Sequence, residues 1–310
     1  MRVGSGEWGV ELPTPNSPLP TPNSPLPTPN SQLQEVNMHN NISLYESLIQ
    51  TKQYFLIAGP CVIEDESIML QTAETLKKIT SKGNIPFIFK SSYSKANRTS
   101  GDSYTGPGFE EGLRLLQKIK TEFNVPILTD VHETHEIPAV SEVADIIQIP
   151  AFLCRQTALI EAAARTGKIV NLKKGQFLAA EDMKLQAEKV TACGNHKILL
   201  TERGTSFGYH NLVVDFRNFP IMKEIGYPVV YDVTHSLQRP SIGKTSGGTP
   251  QYAPMMAKAA MATGCVDGLF IETHPNPKNA LSDANTQLPL FEIEGILREL
   301  QITNYKFKIK

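Results

Sequence analysis

From residue 54 onward, short apolar runs alternate with longer stretches in which apolar residues recur every three or four positions. The short runs contain many β-branched residues and predict buried strands. They fall at Tyr54–Gly59, Pro86–Lys90, Pro126–Asp130, Asp145–Pro150, Ile169–Lys173, Lys197–Glu202, Pro228–Asp232 and Asp267–Glu272. The longer stretches predict helices, and the first two have apolar faces formed by Met69, Ala73, Leu76, Ile79 and by Phe109, Leu113, Leu116, Phe123. Glycines suited to helix C-termini follow at positions 83, 167, 194 and 226.

Strands that alternate with helices predict a parallel sheet with crossover connections. Eight such units in about 250 residues match one (β/α)8 barrel of the TIM type, which we expect to occupy residues 41–310. The alternative is a doubly wound sheet, which usually has fewer strands and a glycine-rich phosphate-binding turn after the first strand. Here the first strand is followed by Gly59-Pro60-Cys61, which lacks that pattern.

The N-terminal segment has a different pattern, because residues 12–32 repeat the heptapeptide LPTPNSP. Prolines remove amide donors and fix φ, so the repeat cannot form a coiled coil. We expect residues 1–40 to be a disordered, proline-rich tail. A ligand for a proline-binding module is the alternative, but no copy carries a flanking Arg or Lys. Met38 is a candidate for the native start, a hypothesis that mass spectrometry of the natural protein would test.

Composition narrows the class of protein. The chain has 30 Lys+Arg against 31 Asp+Glu, which argues against binding to nucleic acid or to an anionic membrane surface. No apolar run approaches the ~20 residues of a spanning helix, and no basic-then-apolar leader suggests a secretory signal. The cysteines at 61, 154, 193 and 265 have no CxxC spacing, so we expect reduced thiols in a cytoplasmic protein.

Candidate chemistry lies at the ends of the predicted strands. A barrel brings its eight strand C-termini to one mouth, where barrel enzymes carry their active sites. For any single residue a solvated rim charge is the simpler interpretation, but all eight strands end in such groups. In strand order they are Cys61; Lys90, Ser92, Lys95, Asn97 and Arg98; Asp130 and His132; Gln148; Lys173 and Lys174; Glu202 and Arg203; Asp232 and His235; Glu272 and Asp283.

Five cations among these groups converge from strands two, five and six: Lys90, Lys95, Arg98, Lys173 and Arg203. In a nearly neutral protein such a cluster would repel itself unless anions bound there. Arg offers a bidentate fork for phosphate or carboxylate, and Lys offers a compact point charge. The cluster therefore predicts small substrates with several negative charges, on more than one phosphate.

A second group, Cys61, His235, Glu272 and Asp283, comes from strands one, seven and eight, which are neighbours once a barrel closes. Thiolate, imidazole and carboxylates can together bind one divalent ion such as Zn²⁺, Mn²⁺ or Fe²⁺. Without a barrel, Cys61 would be a buried thiol and His235 a loop histidine. The string His132–Glu136 is not HExxH, because its histidines are three apart, and we expect His274 to be structural.

Long strings carry a resemblance that covers nearly everything from residue 54 onward. They are AGPCVIED (58–65), FKSSYSKANRTS (89–100), ILTDVHE (127–133), ADIIQIPAFLCRQT (144–157), VNLKKGQF (170–177), LLTERGTSFGYHNLVVDFR (199–217), YDVTHSLQ (231–238), SGG (246–248) and FIETHPNPKNALSDANTQLPL (270–290). On these strings the chain resembles the 3-deoxy-D-manno-octulosonate-8-phosphate synthases.

The resemblance implies a transferase, a step in lipopolysaccharide-type carbohydrate biosynthesis. Such an enzyme condenses phosphoenolpyruvate with arabinose 5-phosphate and water and releases phosphate, typically as a cytoplasmic homotetramer. Phosphoenolpyruvate contacts are implied for Lys90, Ser92, Lys95, Gln148, Lys173 and Arg203. Pentose contacts are implied for Asn97, Arg98, Thr99 and Asp130, with Arg155 reaching the phosphate from a neighbouring subunit. Catalytic roles are implied for Lys95, Lys173, His235 and Asp283.

The family has metal-dependent and metal-free forms, with Cys and Asn respectively at the position of Cys61. The resemblance therefore implies the metal-dependent form, with Cys61, His235, Glu272 and Asp283 as ligands of one ion per subunit. The chain departs from the family at Ser94, Thr99, Thr105 and the loop Arg239–Thr245.

Two rival functions remain. One is the related synthase of 3-deoxy-D-arabino-heptulosonate 7-phosphate, which uses erythrose 4-phosphate and typically reads Lys-Pro-Arg-Thr where this chain has Lys95-Ala96-Asn97-Arg98. The other is a non-catalytic barrel that only binds phosphosugars.

Overall fold

The computed structural model describes residues 43–96, 104–240 and 247–302. The predicted tail lies outside these residues. Eight parallel strands form the sheet: β1 Phe55–Gly59, β2 Phe87–Lys90, β3 Ile127–Asp130, β4 Ile146–Ile149, β5 Ile169–Lys173, β6 Ile198–Glu202, β7 Val229–Asp232 and β8 Gly268–His274. Each pairs with the next, and β8 pairs back with β1 from Phe55–Gly268 to Gly59–Glu272. The predicted (β/α)8 barrel is thus confirmed, and the doubly wound alternative is wrong.

Helices alternate with the strands in the described part of the chain: α1 Leu44–Ile49, α2 Glu66–Lys82, α3 Phe109–Phe123, α4 Ile137–Val143, α5 Thr157–Arg165, α6 Met183–Thr191, α7 Asn218–Glu224, α8 Ala253–Ala262 and α9 Ile293–Ile302. Capping fixes several ends: the Asp65 carboxylate accepts from Ile68 N at the start of α2. Gly167 follows α5 with a φ of 70°, a conformation that glycine adopts without strain. None of the described helices combines the length and apolar character needed to cross a bilayer.

The strand interiors follow a period of two. Alternate residues of all eight strands point inward and form one apolar cluster: Phe55, Ile57, Ile88, Leu128, Ile146, Ile169, Leu199, Val230 and Phe270. Leu48 of α1 packs against the same cluster. The intervening residues face the surrounding helices and belong to the outer core. This alternation puts the next inward residue of each strand at the C-terminal mouth.

The strand boundaries depart from the prediction in two ways. Three predicted strands began at prolines, but Pro86, Pro126 and Pro228 each precede the first paired residue. They cannot donate to the ladder, although their carbonyls accept from Leu56, Phe89 and Leu200 respectively. Strand β8 also continues past Glu272, since Thr273 and His274 pair with Leu288 and Pro289. That extra pairing returns the loop with Asp283 to the mouth.

Candidate active site

A cavity of about 210 Å³ opens at the C-terminal ends of the strands. Its polar lining comes from seven of the eight strands or the loops that follow them: Lys90, Lys95, Asp130, His132, Gln148, Lys173, Gln176, Arg203, His235 and Glu272. The barrel thus brings most of the sequence-predicted groups to one place. Asn97, Arg98 and Thr99 lie outside the described residues, as does most of the loop 239–245.

The lysines of the cavity are held by buried acids. Lys90 Nζ lies 2.6 Å from Glu272 Oε1 and donates to the Cys61 carbonyl at 2.9 Å. Lys173 Nζ lies 2.5 Å from Asp232 Oδ2, and Lys95 Nζ lies 3.8 Å from Glu272. Burial lowers the pKa of Lys173 more than Asp232 raises it. An anion in the cavity would favour the charged form of these groups.

Arg203 has one edge of its guanidinium unpaired among the described residues. Its side chain is buried, and its Nη2 donates to Gln238 Oε1 at 2.9 Å. Its Nη1 has no hydrogen-bond partner among the described residues. Burial lowers the pKa of this guanidinium. A buried donor without an acceptor is costly, so this edge of Arg203 suits a phosphate or carboxylate ligand.

Asp130 and its neighbours form the opposite wall. Ser92 Oγ donates to Asp130 Oδ1, and His132 Nε2 lies 3.2 Å from Asp130 Oδ2. Ser92 is fully buried. Burial alone would raise the pKa of Asp130, but Lys95, His132 and Lys90 hold it well below its usual range. An ionised carboxylate here can accept hydrogen bonds from hydroxyl groups.

The predicted metal ligands are brought together, with His235 slightly apart. Cys61 Sγ and one oxygen each of Glu272 and Asp283 lie within 4.8 Å of one another. His235 Nε2 lies 3.5 Å from Glu272 Oε2, and its Nδ1 lies 2.8 Å from Asp232 Oδ2. The latter contact would fix the orientation of the ring, as carboxylates do for metal-bound histidines. The sulfur, nitrogen and oxygen donors suit a borderline divalent ion.

The electrostatics of this cluster also favour a cation. Burial and the carboxylates of Asp283 and Glu272 raise the pKa of the Cys61 thiol well above its usual value. Glu272 Oε2 is buried and accepts no hydrogen bond within the described part of the chain. The free oxygen faces His235, whereas the other oxygen of Glu272 binds Lys90. The two oxygens of Glu272 therefore serve the two halves of the site.

Gln287 ties the loop of Asp283 to the loop after β1. Its Oε1 accepts from Cys61 N at 3.1 Å, and its Nε2 donates to the Ser282 carbonyl at 2.8 Å. Asp283 itself adopts a φ of 48°, and its carbonyl accepts from Thr286 N and Gln287 N. Gln287 is not predictable from the sequence, because no strand-end pattern marks a residue deep in a loop.

Two more cavity residues were not predicted as binding residues, namely Gln176 and His132. His132 follows Asp130 by two positions, so both face the cavity, and this spacing was the available signal. Gln176 follows Lys173 and Lys174 in a turn, which gave no such signal. Arg155 is exposed on the loop after β4, and His274 is buried with its Nε2 3.6 Å from Glu64.

Comparison with known proteins gives consistent matches. A sequence model of the DAHP synthetase I family matches residues 45–306. The 2-dehydro-3-deoxyphosphooctonate aldolase of Acidithiobacillus ferrooxidans is 54% identical over 256 residues, which cover 82% of this chain and 91% of that protein. The protein of the same name from Methylococcus capsulatus is 56% identical over 247 residues, covering 79% and 87%. That from Koribacter versatilis is 53% identical over 250 residues, covering 79% and 89%.

Proposed function

The chain belongs to the DAHP synthetase I family, and we propose from this that it condenses phosphoenolpyruvate with D-arabinose 5-phosphate and water. The products are 3-deoxy-D-manno-octulosonate 8-phosphate and inorganic phosphate. The observation that carries the proposal is the meeting of Lys90, Lys173 and Arg203 in one cavity beside the Cys61–Glu272–Asp283 cluster. The shared name of the relatives supports the pentose as acceptor.

The cationic side of the cavity would hold phosphoenolpyruvate. Lys90, Lys95, Lys173, Arg203 and Gln148 offer donors for its phosphate and carboxylate. Ser92, whose hydroxyl donates to Asp130 in this structure, would also contact phosphoenolpyruvate. Fixed donors cost no reorganisation when charge develops during the reaction. C3 of phosphoenolpyruvate would attack the pentose aldehyde, water would add at C2, and the resulting intermediate would release phosphate by C–O cleavage.

The pentose would lie against Asp130, which can accept from its hydroxyl groups. Its phosphate would meet Asn97, Arg98 and Thr99, together with Arg155 of a neighbouring subunit in a homotetramer. The exposure of Arg155 supports this part of the proposal, because an exposed guanidinium is available to a second copy of the chain.

The four cysteines are free thiols, which supports a reducing, cytoplasmic location.

Cys61, His235, Glu272 and Asp283 would hold one divalent ion, Zn²⁺, Mn²⁺ or Fe²⁺. When bound, such an ion supplies Lewis-acid polarisation of an oxygen ligand. His235 and Asp283 would contribute to catalysis by holding this ion. Lys95 and Lys173 would stabilise negative charge as the phosphate leaves.

Phosphate release with either arabinose 5-phosphate or erythrose 4-phosphate tests the proposal, before and after chelation with metal add-back. We expect turnover of the pentose, loss of activity on chelation and recovery of activity with a divalent ion.

Cys61→Ser should lose both the metal and the activity. Cys265→Ser removes a thiol before β8, at the opposite end of the barrel, and should keep both. Preference for erythrose 4-phosphate would assign the chain to the heptulosonate synthases. Binding of phosphoenolpyruvate without turnover of either sugar would indicate a non-catalytic barrel.

A further inference from the structure

Three polar side chains form a hydrogen-bonded row inside the barrel, across strands β4, β5 and β6. Gln148 and Asn171 are register partners on β4 and β5, and Thr201 lies on β6. Asn171 and Thr201 are 0% exposed, and Gln148 is 3% exposed. Of the three, Gln148 lines the mouth cavity. Asn171 and Thr201 therefore act on the cavity through Gln148.

The hydrogen bonds of this row run in one direction. The Thr201 hydroxyl donates to Asn171 Oδ1 at 2.6 Å. Asn171 Nδ2 then donates to Gln148 Oε1 at 2.9 Å. In this arrangement the Asn171 carbonyl accepts from Thr201, and its amide nitrogen faces Gln148. Reversing the Gln148 amide would set two NH₂ groups against each other, so the carbonyl of Gln148 stays on the inner side.

The other end of Gln148 is free for a ligand. Within the described part of the chain its Nε2 donates to no residue, and the side chain lines the cavity together with Lys173 and Arg203. Two N–H donors on the cavity side suit an anion, whereas a carbonyl there would repel it. We propose that Asn171 and Thr201 are positioning residues that orient the Gln148 amide to donate to phosphoenolpyruvate, an inference that rests on the proposed function.

The need to fill the barrel interior does not by itself explain why Gln148, Asn171 and Thr201 are polar. The inward residues just below it on the same strands are apolar, namely Ile146, Ile169 and Leu199. Apolar side chains thus fill the interior one step away from Gln148. Apolar side chains could fill this level too, without polar groups that must be hydrogen-bonded once they are buried. The polar row therefore serves a purpose other than packing. The anion-facing amide of Gln148 supplies one.

Thr201→Val tests the inference, because it removes the donor and keeps the shape. We expect the Kd for phosphoenolpyruvate, measured by isothermal titration calorimetry on the full chain, to rise about fivefold, the usual worth of one neutral hydrogen bond. The KM for the pentose should stay unchanged. The matched control is Thr129→Val on β3, since the buried Thr129 Oγ1 has no partner among the described residues. Its Kd should equal that of the wild type.

A double-mutant cycle separates positioning from a general structural effect. If Thr201 acts through Gln148, Thr201→Val should cause no further loss in a Gln148→Leu background. Equal effects of Thr201→Val and Thr129→Val, or a loss that persists with Gln148→Leu, would overturn the inference and leave the proposed function standing. A wild-type chain that does not bind phosphoenolpyruvate would overturn both.

Discussion

The lower and upper halves of the barrel interior are built from the same strands but differ in chemistry. The lower half is the apolar cluster from Phe55 to Phe270. The upper half contains the polar side chains Lys90, Asp130, Gln148, Asn171, Lys173, Thr201, Asp232 and Glu272, all of them buried. In seven strands, β2 to β8, the two halves are separated by a single step of two residues, as in Leu128 and Asp130. A shift of register by one residue would destroy both halves together.

Phe270 forms the boundary between the halves. Its ring centroid lies 4.0 Å from Lys173 Nζ and 5.8 Å from the His235 ring. The charges above it are therefore shielded from water below, which strengthens their mutual interaction. Burial alone would raise the pKa of Glu272, but His235, Lys90 and Lys95 hold it well below its usual range. The lower half thus stabilises the fold, whereas the upper half holds fixed, buried charges that cost part of that stability.

Two adjacent lysines offer the sharpest test of this division. Lys173 faces the cavity and pairs with Asp232, whereas Lys174 lies outside the cavity, 3.6 Å from Glu202 and 3.1 Å from Thr205 Oγ1. Both pairs are buried, so Lys173→Met and Lys174→Met should each cost about 3–5 kcal/mol of stability. Lys173→Met should also lower kcat/KM by a factor of about 10² to 10³, because it removes a donor to the substrate anion.

Steady-state kinetics and urea unfolding of both variants check this prediction. Activity of Lys174→Met, expressed per folded molecule, should stay within about tenfold of the wild type. An equal loss of activity in the two variants would mean that buried charge as such, and not its place in the cavity, supports the reaction.

The lower half should give the reverse result. Leu128 is fully buried in the apolar cluster, two residues before Asp130. Leu128→Ala should lower the free energy of unfolding by about 3 kcal/mol, while the folded fraction keeps its kcat. Leu128→Met keeps the volume and should cost less than about 1.5 kcal/mol. Urea unfolding and initial rates at saturating substrate measure both quantities, and a large loss of kcat with stability retained would contradict the division.

The positions of the strands and of the polar mouth can be predicted from the sequence, whereas individual side-chain contacts in the upper half cannot. The eight strands are recognisable because β-branched runs are long enough to be buried and are bounded by proline or glycine. The polar mouth follows from barrel closure, since parallel strands share one C-terminal end. Lys90 and Glu272 illustrate what does not follow: their 2.6 Å contact joins β2 to β8 across 182 residues and depends on exact side-chain reach.

Loop geometry is harder still to predict. The path that returns Asp283 to Cys61 depends on a left-handed residue, on the Gln287 clamp and on the pairing of β8 with Leu288–Pro289. None of these has a periodic signal in the sequence. The sequence predicts Asp283 as a metal ligand from its place after the eighth strand, and the structure supplies the contacts that position its loop. The roles of Asn97, Arg98 and Thr99 stay predictions.

The smallest expected effect concerns His132, at the edge of the upper half. Asp130 and Glu136 face its imidazole, as do Lys95 and the Tyr93 ring. Burial alone would lower the pKa of His132, but the hydrogen bond to Asp130 and the charges of Asp130 and Glu136 raise it. A histidine whose pKa is raised by folding stabilises the folded protein fully at pH values below its pKa in the unfolded chain, about 6.5. This stabilisation is lost as the pH rises through the pKa in the folded protein.

His132→Gln should therefore reduce stability more at about pH 6 than at about pH 9, with a difference of roughly 1 kcal/mol. Gln keeps a donor for Asp130 and removes the charge, so the variant isolates the electrostatic part. His135→Gln, on an exposed histidine of the same segment, controls for loss of an imidazole that does not contact Asp130. Urea unfolding at the two pH values measures each difference. Equal pH dependence in the two variants would mean that the charge of His132 is as well solvated as a surface charge, and the shielded upper half would then end at Asp130.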